Sequence, residues 1–274
     1  MSWTTRQTAL LGGMGLRLWA PPQLQPASVD APVARSLQVP APAPAPVTAP
    51  APVTAPVTAL APAPAPPPAA ARVSSPALAG LDWTALRDTV AACRACGLCE
   101  SRRQTVFGSG HPQAHWMVVG EAPGEQEDLQ GEPFVGASGE LLDRMLQALN
   151  LTRAADGPGS PAQRVYIANT LKCRPPRNRN PTLAEMTQCE PYLVRQIELL
   201  RPRLILAMGR FAVQALLRSD EPIGKLRGRV HHCQGVPLVV TYHPAYLLRN
   251  LADKARAWED LCLAAQVAEA GSPG

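Results

Sequence analysis

The chain has 274 residues, of which 31 are proline, and a formal charge of +5. Seventeen of the prolines lie between positions 21 and 76, in Ala-Pro and Ala-Pro-Val-Thr repeats with little to bury, so we expect residues 21–80 to be a disordered Pro/Ala-rich linker. No apolar run is long enough to span a membrane, and we expect a monomeric cytoplasmic protein whose seven cysteines are thiols or metal ligands, not disulfides.

Net charge alone does not identify a nucleic-acid-binding protein here. Four arginines and one aspartate precede residue 81, a balance of +3, so only +2 of the total +5 belongs to the rest of the chain. The placement of the charge is more informative, because basic residues cluster at 172–179, 225–229 and 249–256.

Residues 1–20 form a short apolar peptide ahead of the linker. The large apolar side chains of residues 6–19 are Leu10, Leu11, Met14, Leu16, Leu18 and Trp19. The peptide resembles the N-terminal segment with which a small clamp-loader subunit docks in bacterial replication machinery. We therefore expect residues 6–19 to bind a groove on a replication or repair protein. The alternatives are packing on the chain's own domain and a frayed end.

Residues 81–270 alternate between strand-like and helix-like segments. The predicted strands are the apolar runs 116–119, 165–168, 204–208 and 238–241. The predicted helices are 83–92, a segment with helical spacing at 141–149, one from a Thr182 capping box to about Leu200, and 253–268. This alternation predicts a single three-layer α/β/α domain with a mostly parallel four-stranded central sheet.

Polar features follow three of these strands. The loop Gly120-Glu121-Ala122-Pro123-Gly124 comes after the first strand, Asn169 after the second and His243 after the fourth. In open parallel sheets, ligands bind beyond the carboxyl ends of the strands. We therefore expect the three features to share one crevice.

Four cysteines have the pattern of a metal or cluster site. Cys93 and Cys96 form a C-x-x-C pair, Cys173 lies at the start of the basic, proline-rich run 172–181, and Cys189 follows that run. Four thiolates suit either zinc or an iron–sulfur cluster, and the spacing does not decide between them. Cys99 competes as a ligand, because it forms a second C-x-x-C with Cys96. The two remaining cysteines are expected to be ordinary thiols, Cys233 and Cys262.

The motifs together resemble the uracil-DNA glycosylase superfamily. They are the segments 120–128 and 131–136, Asn169, and His243-Pro244-Ala245. The four cysteines and Lys172-Cys173-Arg174-Pro175-Pro176 resemble the iron–sulfur-containing type 4 branch, and the likeness covers nearly all of 84–265. The resemblance implies a base excision repair hydrolase that releases uracil from DNA and leaves an abasic site. It also implies a [4Fe–4S] cluster, with the ligands Cys93, Cys96, Cys173 and Cys189.

The resemblance assigns roles in a base pocket next to Gly120. Phe134 would stack on a uracil swung out of the duplex, and Asn169 would bond its N3–H and O4. His243, as a neutral imidazole, would donate to uracil O2 and stabilise the departing anion. Glu121 would either orient the attacking water or stabilise the sugar cation.

Further residues would contact the DNA backbone. The expected DNA-binding residues are Arg174, Arg177, Arg179, Leu248 and Arg249. The alternative for the arginine loop is a solvated surface segment. Ala245 stands where many relatives have serine, which removes one hydroxyl that could contact phosphate.

A rival interpretation comes from another class of protein. It is a non-catalytic, zinc-stapled nucleic-acid-binding module, which would be colourless and release no base. Two details favour uracil hydrolysis over neighbouring branches of the family. Glu121 supplies the acidic residue that a branch of broader specificity lacks, and the segment 173–189 has no histidine of the kind found in a DNA-cross-linking branch.

Overall fold

The computed structural model describes residues 75–156 and 159–270 of the chain. The predicted N-terminal peptide and nearly all of the predicted linker lie outside the described residues. The first described helix, Ser75–Leu78, precedes the predicted domain start at residue 81. Its Leu78 is buried among apolar side chains that include Leu86 and Val90. The packed part of the chain therefore begins before residue 81.

A six-stranded sheet forms the centre of the fold. Its strands are β1 (Ser109–Gly110), β2 (Trp116–Gly120), β3 (Val165–Asn169), β4 (Leu204–Met208), β5 (Val230–Cys233) and β6 (Val236–Thr241). The strand order is β1-β3-β2-β4-β6-β5. The four inner strands run parallel, and β1 and β5 pair antiparallel at the two edges. The predicted α/β fold with a mostly parallel sheet is confirmed.

The predicted number of four strands was wrong because both edge strands lack an apolar run. β1 has only two residues, and β5 reads Val-His-His-Cys with Val230 exposed. β5 joins β6 through Gln234 and Gly235, both of which have positive φ (51° and 81°). Two such residues make the tight hairpin turn whose twist matches antiparallel strands. The turn at Gln234 and Gly235, and not a run of apolar residues, therefore specifies the additional strand β5.

Helices cover both faces of the sheet. In chain order they are α1 (Ser75–Leu78), α2 (Trp83–Ala92), α3 (Leu98–Ser101), α4 (Glu125–Gln130), α5 (Gly136–Ala148), α6 (Leu183–Leu200), α7 (Arg210–Leu217), α8 (Ile223–Leu226), α9 (Pro244–Arg249) and α10 (Lys254–Ala270). The predicted capping box is present, because Thr182 Oγ1 accepts from Glu185 N at 3.3 Å and Glu185 Oε2 accepts from Thr182 N at 2.8 Å. No helix among the described residues combines the length and apolarity needed to cross a membrane.

The alternation of side chains along the strands divides the core into two layers. In β2, Val118 faces a cluster with Leu142 of α5 and Trp258 of α10. Its neighbour Met117 faces the opposite cluster, which contains Leu193 of α6. Every residue of β2, β3 and β4 is buried, as expected of strands covered on both faces. The predicted three-layer arrangement is therefore present, with the carboxyl ends of the parallel strands left open on one side.

Candidate active site

A pocket of about 760 Å³ lies at the carboxyl ends of the parallel strands. Each inner strand leads into its wall: Glu121 follows β2, Asn169 ends β3, Gly209 follows β4, and His243 lies two residues after β6. The three polar features that were expected to share one crevice thus do so, and Phe134 lies among them. Their catalytic and binding roles remain predictions at this point.

The absence of a side chain at Gly120 allows the pocket to form. A Cβ atom built on Gly120 would lie 2.5 Å from Asn169 Oδ1 and 2.6 Å from Phe134 Cζ. Both distances are far shorter than van der Waals contact, so any larger residue would displace the amide or the ring. Gly120 therefore permits Asn169 and Phe134 to approach each other across the end of β2.

Asn169 lines the pocket and is 2% exposed, and its side-chain oxygen has no hydrogen-bond partner among the described residues. A buried carbonyl oxygen without a partner is costly, which makes it a ready acceptor for a ligand N–H. The backbone of Asn169 is held firmly, because its carbonyl accepts from Lys172 Nζ at 2.9 Å. The same ammonium donates to Gln196 Oε1 at 2.6 Å.

Lys172 is not on the surface, although the sequence predicts it as part of a basic surface loop. Its side chain is buried, and burial lowers its pKa to about 8. The sequence cluster 172–179 therefore contributes surface charge only from its arginines. Lys172 instead supports the wall of the pocket through Asn169.

His243 is held as a neutral imidazole with a defined tautomer. It caps α9, and its Nδ1 accepts from Ala245 N at 3.2 Å. Because Nδ1 accepts, the ring proton of the neutral form is on Nε2. Burial, with a smaller effect from Arg249, lowers the pKa of His243 to about 4. The ring stacks against Phe134 with centroids 5.2 Å apart, and Nε2–H is thus a neutral donor in the pocket.

Glu121 is partly buried and lines the same pocket. Burial raises the pKa of its carboxyl to about 7, and nearby Arg210 opposes that rise. The backbone of Glu121 is anchored to the segment after β3, because its carbonyl accepts from Leu171 N at 3.1 Å and from the Thr170 hydroxyl. The carboxyl can therefore change its protonation state near neutral pH, on a backbone that is held in place.

Glu127 and Arg210 also line the pocket, and both were missed by the sequence interpretation. Glu127 accepts from Gly124 N at 2.9 Å and from Val135 N at 3.0 Å. One carboxylate thus joins the loop after β2 to the segment that carries Phe134. The available signal was the glutamate three residues after Gly124 at the start of α4, in the N3 position of a capping box.

The predicted cysteine ligands surround a second, smaller cavity. Cys93 and Cys96 follow α2, Cys173 lies in the loop after β3, and Cys189 lies on α6. Cys99 lines the same cavity, so the structure also places the competing candidate there. Cys233 and Cys262 belong to other parts of the core.

Polar donors point at several of these sulfur atoms. Arg102 Nη1 donates to Cys173 Sγ at 3.0 Å, and Lys172 N donates to Cys189 Sγ at 3.3 Å. Burial raises the pKa of the Cys189 thiol to about 12. Within residues 75–156 and 159–270, no three histidine, cysteine or acidic side chains have the spacing that one metal ion needs.

Two of the five predicted DNA-binding residues line the pocket. Arg179 and Arg249 line it directly. Arg179 is paired with Glu185 at 2.5 Å, and Arg174 donates to Asn178 Oδ1 at 2.7 Å. The other two members of the set are also on the surface, Arg177 and Leu248.

Comparisons with known proteins agree with this arrangement. Residues 107–262 match the family described as the Uracil DNA glycosylase superfamily. The chain belongs to this superfamily. It is 42% identical over 167 residues to a type-4 uracil-DNA glycosylase of Archaeoglobus fulgidus, covering 58% of this chain and 79% of the relative. It is 38% identical over 193 residues to the type-4 enzyme of Pyrobaculum aerophilum, covering 67% and 93%.

A type-5 uracil-DNA glycosylase, also from Pyrobaculum aerophilum, is 34% identical over 149 residues, covering 52% of this chain and 66% of the relative. The two type-4 relatives are thus more similar in sequence to this chain than the type-5 relative is, and the match covers a larger share of each of them. The resemblance to the type 4 branch is confirmed.

Proposed function

We propose that this glycosylase hydrolyses the N-glycosidic bond of deoxyuridine in DNA, releases uracil and leaves an abasic site for base excision repair. The observation that carries the proposal is the buried Asn169 Oδ1, which has no hydrogen-bond partner among the described residues and belongs to a side chain that lines the pocket together with Phe134 and the neutral His243. This set supplies an acceptor, an aromatic face and a neutral donor, which are the groups needed to read an extruded uracil.

The proposed reaction follows from those groups. The C1′–N1 bond breaks with its electron pair moving onto uracil, and the Nε2–H of His243 donates to O2 as negative charge develops there. A water oxygen forms the new bond to C1′. The Glu121 carboxylate either accepts a proton from that water or stabilises the sugar cation. A histidine that stays neutral suits this role, because its Nε2–H donates a hydrogen bond to the developing anion while the proton stays on the ring.

We infer that the cysteine site holds a [4Fe–4S] cluster on Cys93, Cys96, Cys173 and Cys189. The residues fit such a group, since several thiols surround one buried cavity and N–H donors reach the sulfur atoms. Hydrogen bonds of this kind stabilise the negative charge of thiolates that bind iron. The cluster would serve a structural purpose, tying the loop 172–181 to the end of α2.

The arginine loop is proposed to bind the DNA backbone. Arg174 and Arg179 have acidic neighbours in the protein alone, Glu125 at 3.6 Å and Glu185 at 2.5 Å. Surface ion pairs of this kind are weak, so phosphates can replace the carboxylates at little cost.

We also propose that the protein acts as a monomer in the reducing cytoplasm, and that residues 6–19 recruit it to a replication or repair protein.

A uracil-containing oligonucleotide, followed by alkaline cleavage, tests the activity. The wild-type protein should leave an abasic site without added metal or ATP, and His243→Ala should be on the order of 100-fold slower because an oriented donor is lost. Asn169→Ala and Glu121→Ala should also lose most activity. His232→Ala is the matched control, because His232 is exposed on β5 outside the pocket.

Two results would contradict these assignments. Full activity of His243→Ala would remove that residue from the mechanism. DNA binding without any base release by the wild-type protein would support the rival nucleic-acid-binding module instead.

A further inference from the structure

Phe134 has a backbone conformation that an aromatic residue rarely adopts. Its φ is +55°, in the left-handed region where the side chain crowds its own backbone. Such a conformation is unfavourable and persists only when the surroundings enforce it. Something near Phe134 must therefore hold its two peptide groups in place.

The carbonyl of Phe134 is enclosed by a glycine and an arginine. Arg153 donates to this oxygen from both Nη1 and Nη2, each at 3.0 Å, and Nη1 also donates to Pro133 O at 2.9 Å. On the other side is Gly139 of α5, where a Cβ atom would overlap the same carbonyl oxygen. The peptide group after Phe134 is thus fixed in one orientation, with its N–H bonded to Glu127.

Arg153 is anchored well enough to act as a clamp. The residue before it, Thr152, pairs with the segment leading into β3: its N–H donates to Gln163 O at 2.9 Å and its carbonyl accepts from Val165 N at 3.0 Å. Asp143 of α5 accepts from Arg153 Nη2 at 2.7 Å. The guanidinium is therefore held from the sheet and from α5 while it bonds the Phe134 segment.

We propose that Arg153 is a positioning residue that sets the angle of the Phe134 ring in the base pocket. It lies outside the residues that line the pocket and acts through the backbone carbonyls of Pro133 and Phe134. Without the clamp, the peptide after Phe134 can relax, and the ring turns away from the position in which it meets His243. The effect on catalysis rests on the proposed uracil excision, but the effect on the ring does not.

The kinetic test is a double-mutant cycle in single-turnover excision of uracil. Arg153→Met should slow the reaction at least about 10-fold, within the roughly 100-fold that a small misplacement in an active site can cost. In a Phe134→Ala background, the same change should have almost no effect, because there is no ring left to position. Arg144→Met is the control, since Arg144 is an exposed arginine of the same helix as Asp143. An equal loss in both backgrounds, or no loss in either, would overturn the proposal.

A second readout does not depend on activity. The chain has three phenylalanines, so ¹³C-phenylalanine labelling of the full-length protein gives a simple set of ring NMR signals. Arg153→Met should shift the signals of Phe134 and leave those of Phe107 and Phe211 unchanged. If the methionine variant folds poorly, Arg153→Lys is measured in its place. It keeps the charge beside Asp143 but loses the two-pronged contact, so it should shift the Phe134 signals by a smaller amount. Unchanged Phe134 signals in the lysine variant and in a folded methionine variant would refute the clamp even in a protein without glycosylase activity.

Discussion

At the scale of single residues, burial favours the neutral form of both Glu121 and His243 in the pocket. It raises the pKa of Glu121 to about 7 and lowers the pKa of His243 to about 4, so both neutral forms are favoured. For His243 the neutral form is the one that its proposed role needs. For Glu121 the ionised form is needed, and it is only partly populated near neutral pH.

The pH dependence of uracil excision follows from these values. The single-turnover rate should rise with pH through about 7 as Glu121 ionises, and it should show no separate inflection from His243 between pH 5 and 8. Glu121→Gln should be slower and should lose the dependence near pH 7. A wild-type profile that stays flat from pH 5 to 9 would show that the ionisation of Glu121 does not control the reaction.

The same carboxyl should affect stability. Its folded-state pKa is raised above the ordinary value of 4.5, so its contribution to stability is fully present below about 4.5 and is lost as pH rises through about 7. Glu121→Gln should therefore raise the Tm relative to wild type at pH 8 and change it little at pH 5, measured by thermal unfolding. A larger gain at pH 5 than at pH 8 would have the opposite sign and would contradict the raised pKa.

At the scale of elements, α6 shows what the sequence could predict. The Thr182 capping box located its start, and the position of Cys189 within it followed. The strand ends likewise placed Glu121, Asn169 and His243 in one crevice, because the geometry of a parallel sheet requires it. The spacing of apolar residues and the capping residues of a helix depend on neighbouring positions in the chain, so both can be recognised in the sequence.

The clamp and the buried ammonium could not be predicted in the same way. Arg153 and Lys172 look like ordinary surface cations in the sequence, and their partners are main-chain carbonyls at Phe134 and Asn169. Every residue has a main-chain carbonyl, so the sequence does not show which carbonyl accepts a hydrogen bond from a given cation. Contacts of this kind are visible only once the elements are packed.

The cysteine site offers a prediction at the level of the elements that it joins. Anaerobically purified protein should be brown and contain roughly four irons per chain. Cys173→Ala should be colourless and poorly soluble, because the loop 172–181 would lose its tie to α2. Iron analysis and visible absorbance provide the measurement.

Matched cysteine variants sharpen this test. Cys233→Ala and Cys262→Ala should stay brown, since both thiols lie in other parts of the core. Cys99→Ala should also keep its iron if Cys96 is the ligand, although both thiols line the cavity. Stoichiometric zinc without iron in the wild-type protein would reject the cluster assignment.

At the scale of the whole molecule, the modest net charge conceals a local concentration of positive charge. The part of the chain after residue 80 carries only +2, the difference between +5 overall and +3 before residue 81. Yet Arg179, Arg210 and Arg249 all line the pocket. In the proposed complex the phosphate backbone passes these arginines, so DNA affinity should depend on them and fall as salt rises.

The N-terminal region provides the last test, because the proposed docking peptide and the glycosylase domain are separate parts of the sequence. Deleting residues 1–74 keeps α1 and removes none of the residues that line the pocket, so uracil excision from an oligonucleotide should stay within about twofold of the full chain. Capture of replication or repair proteins by the full chain should be lost, because the tethered peptide supplies the added local concentration.

A longer deletion through residue 80 is the structural control for that experiment. It also removes Leu78, which is 3% exposed and packs beside Leu86 and Val90. Loss of a buried leucine costs about 2–5 kcal/mol, so this variant should have a lower Tm while the shorter deletion should not. If removing residues 1–74 instead lowers the Tm or abolishes excision, the peptide belongs to the domain, and the docking proposal is wrong.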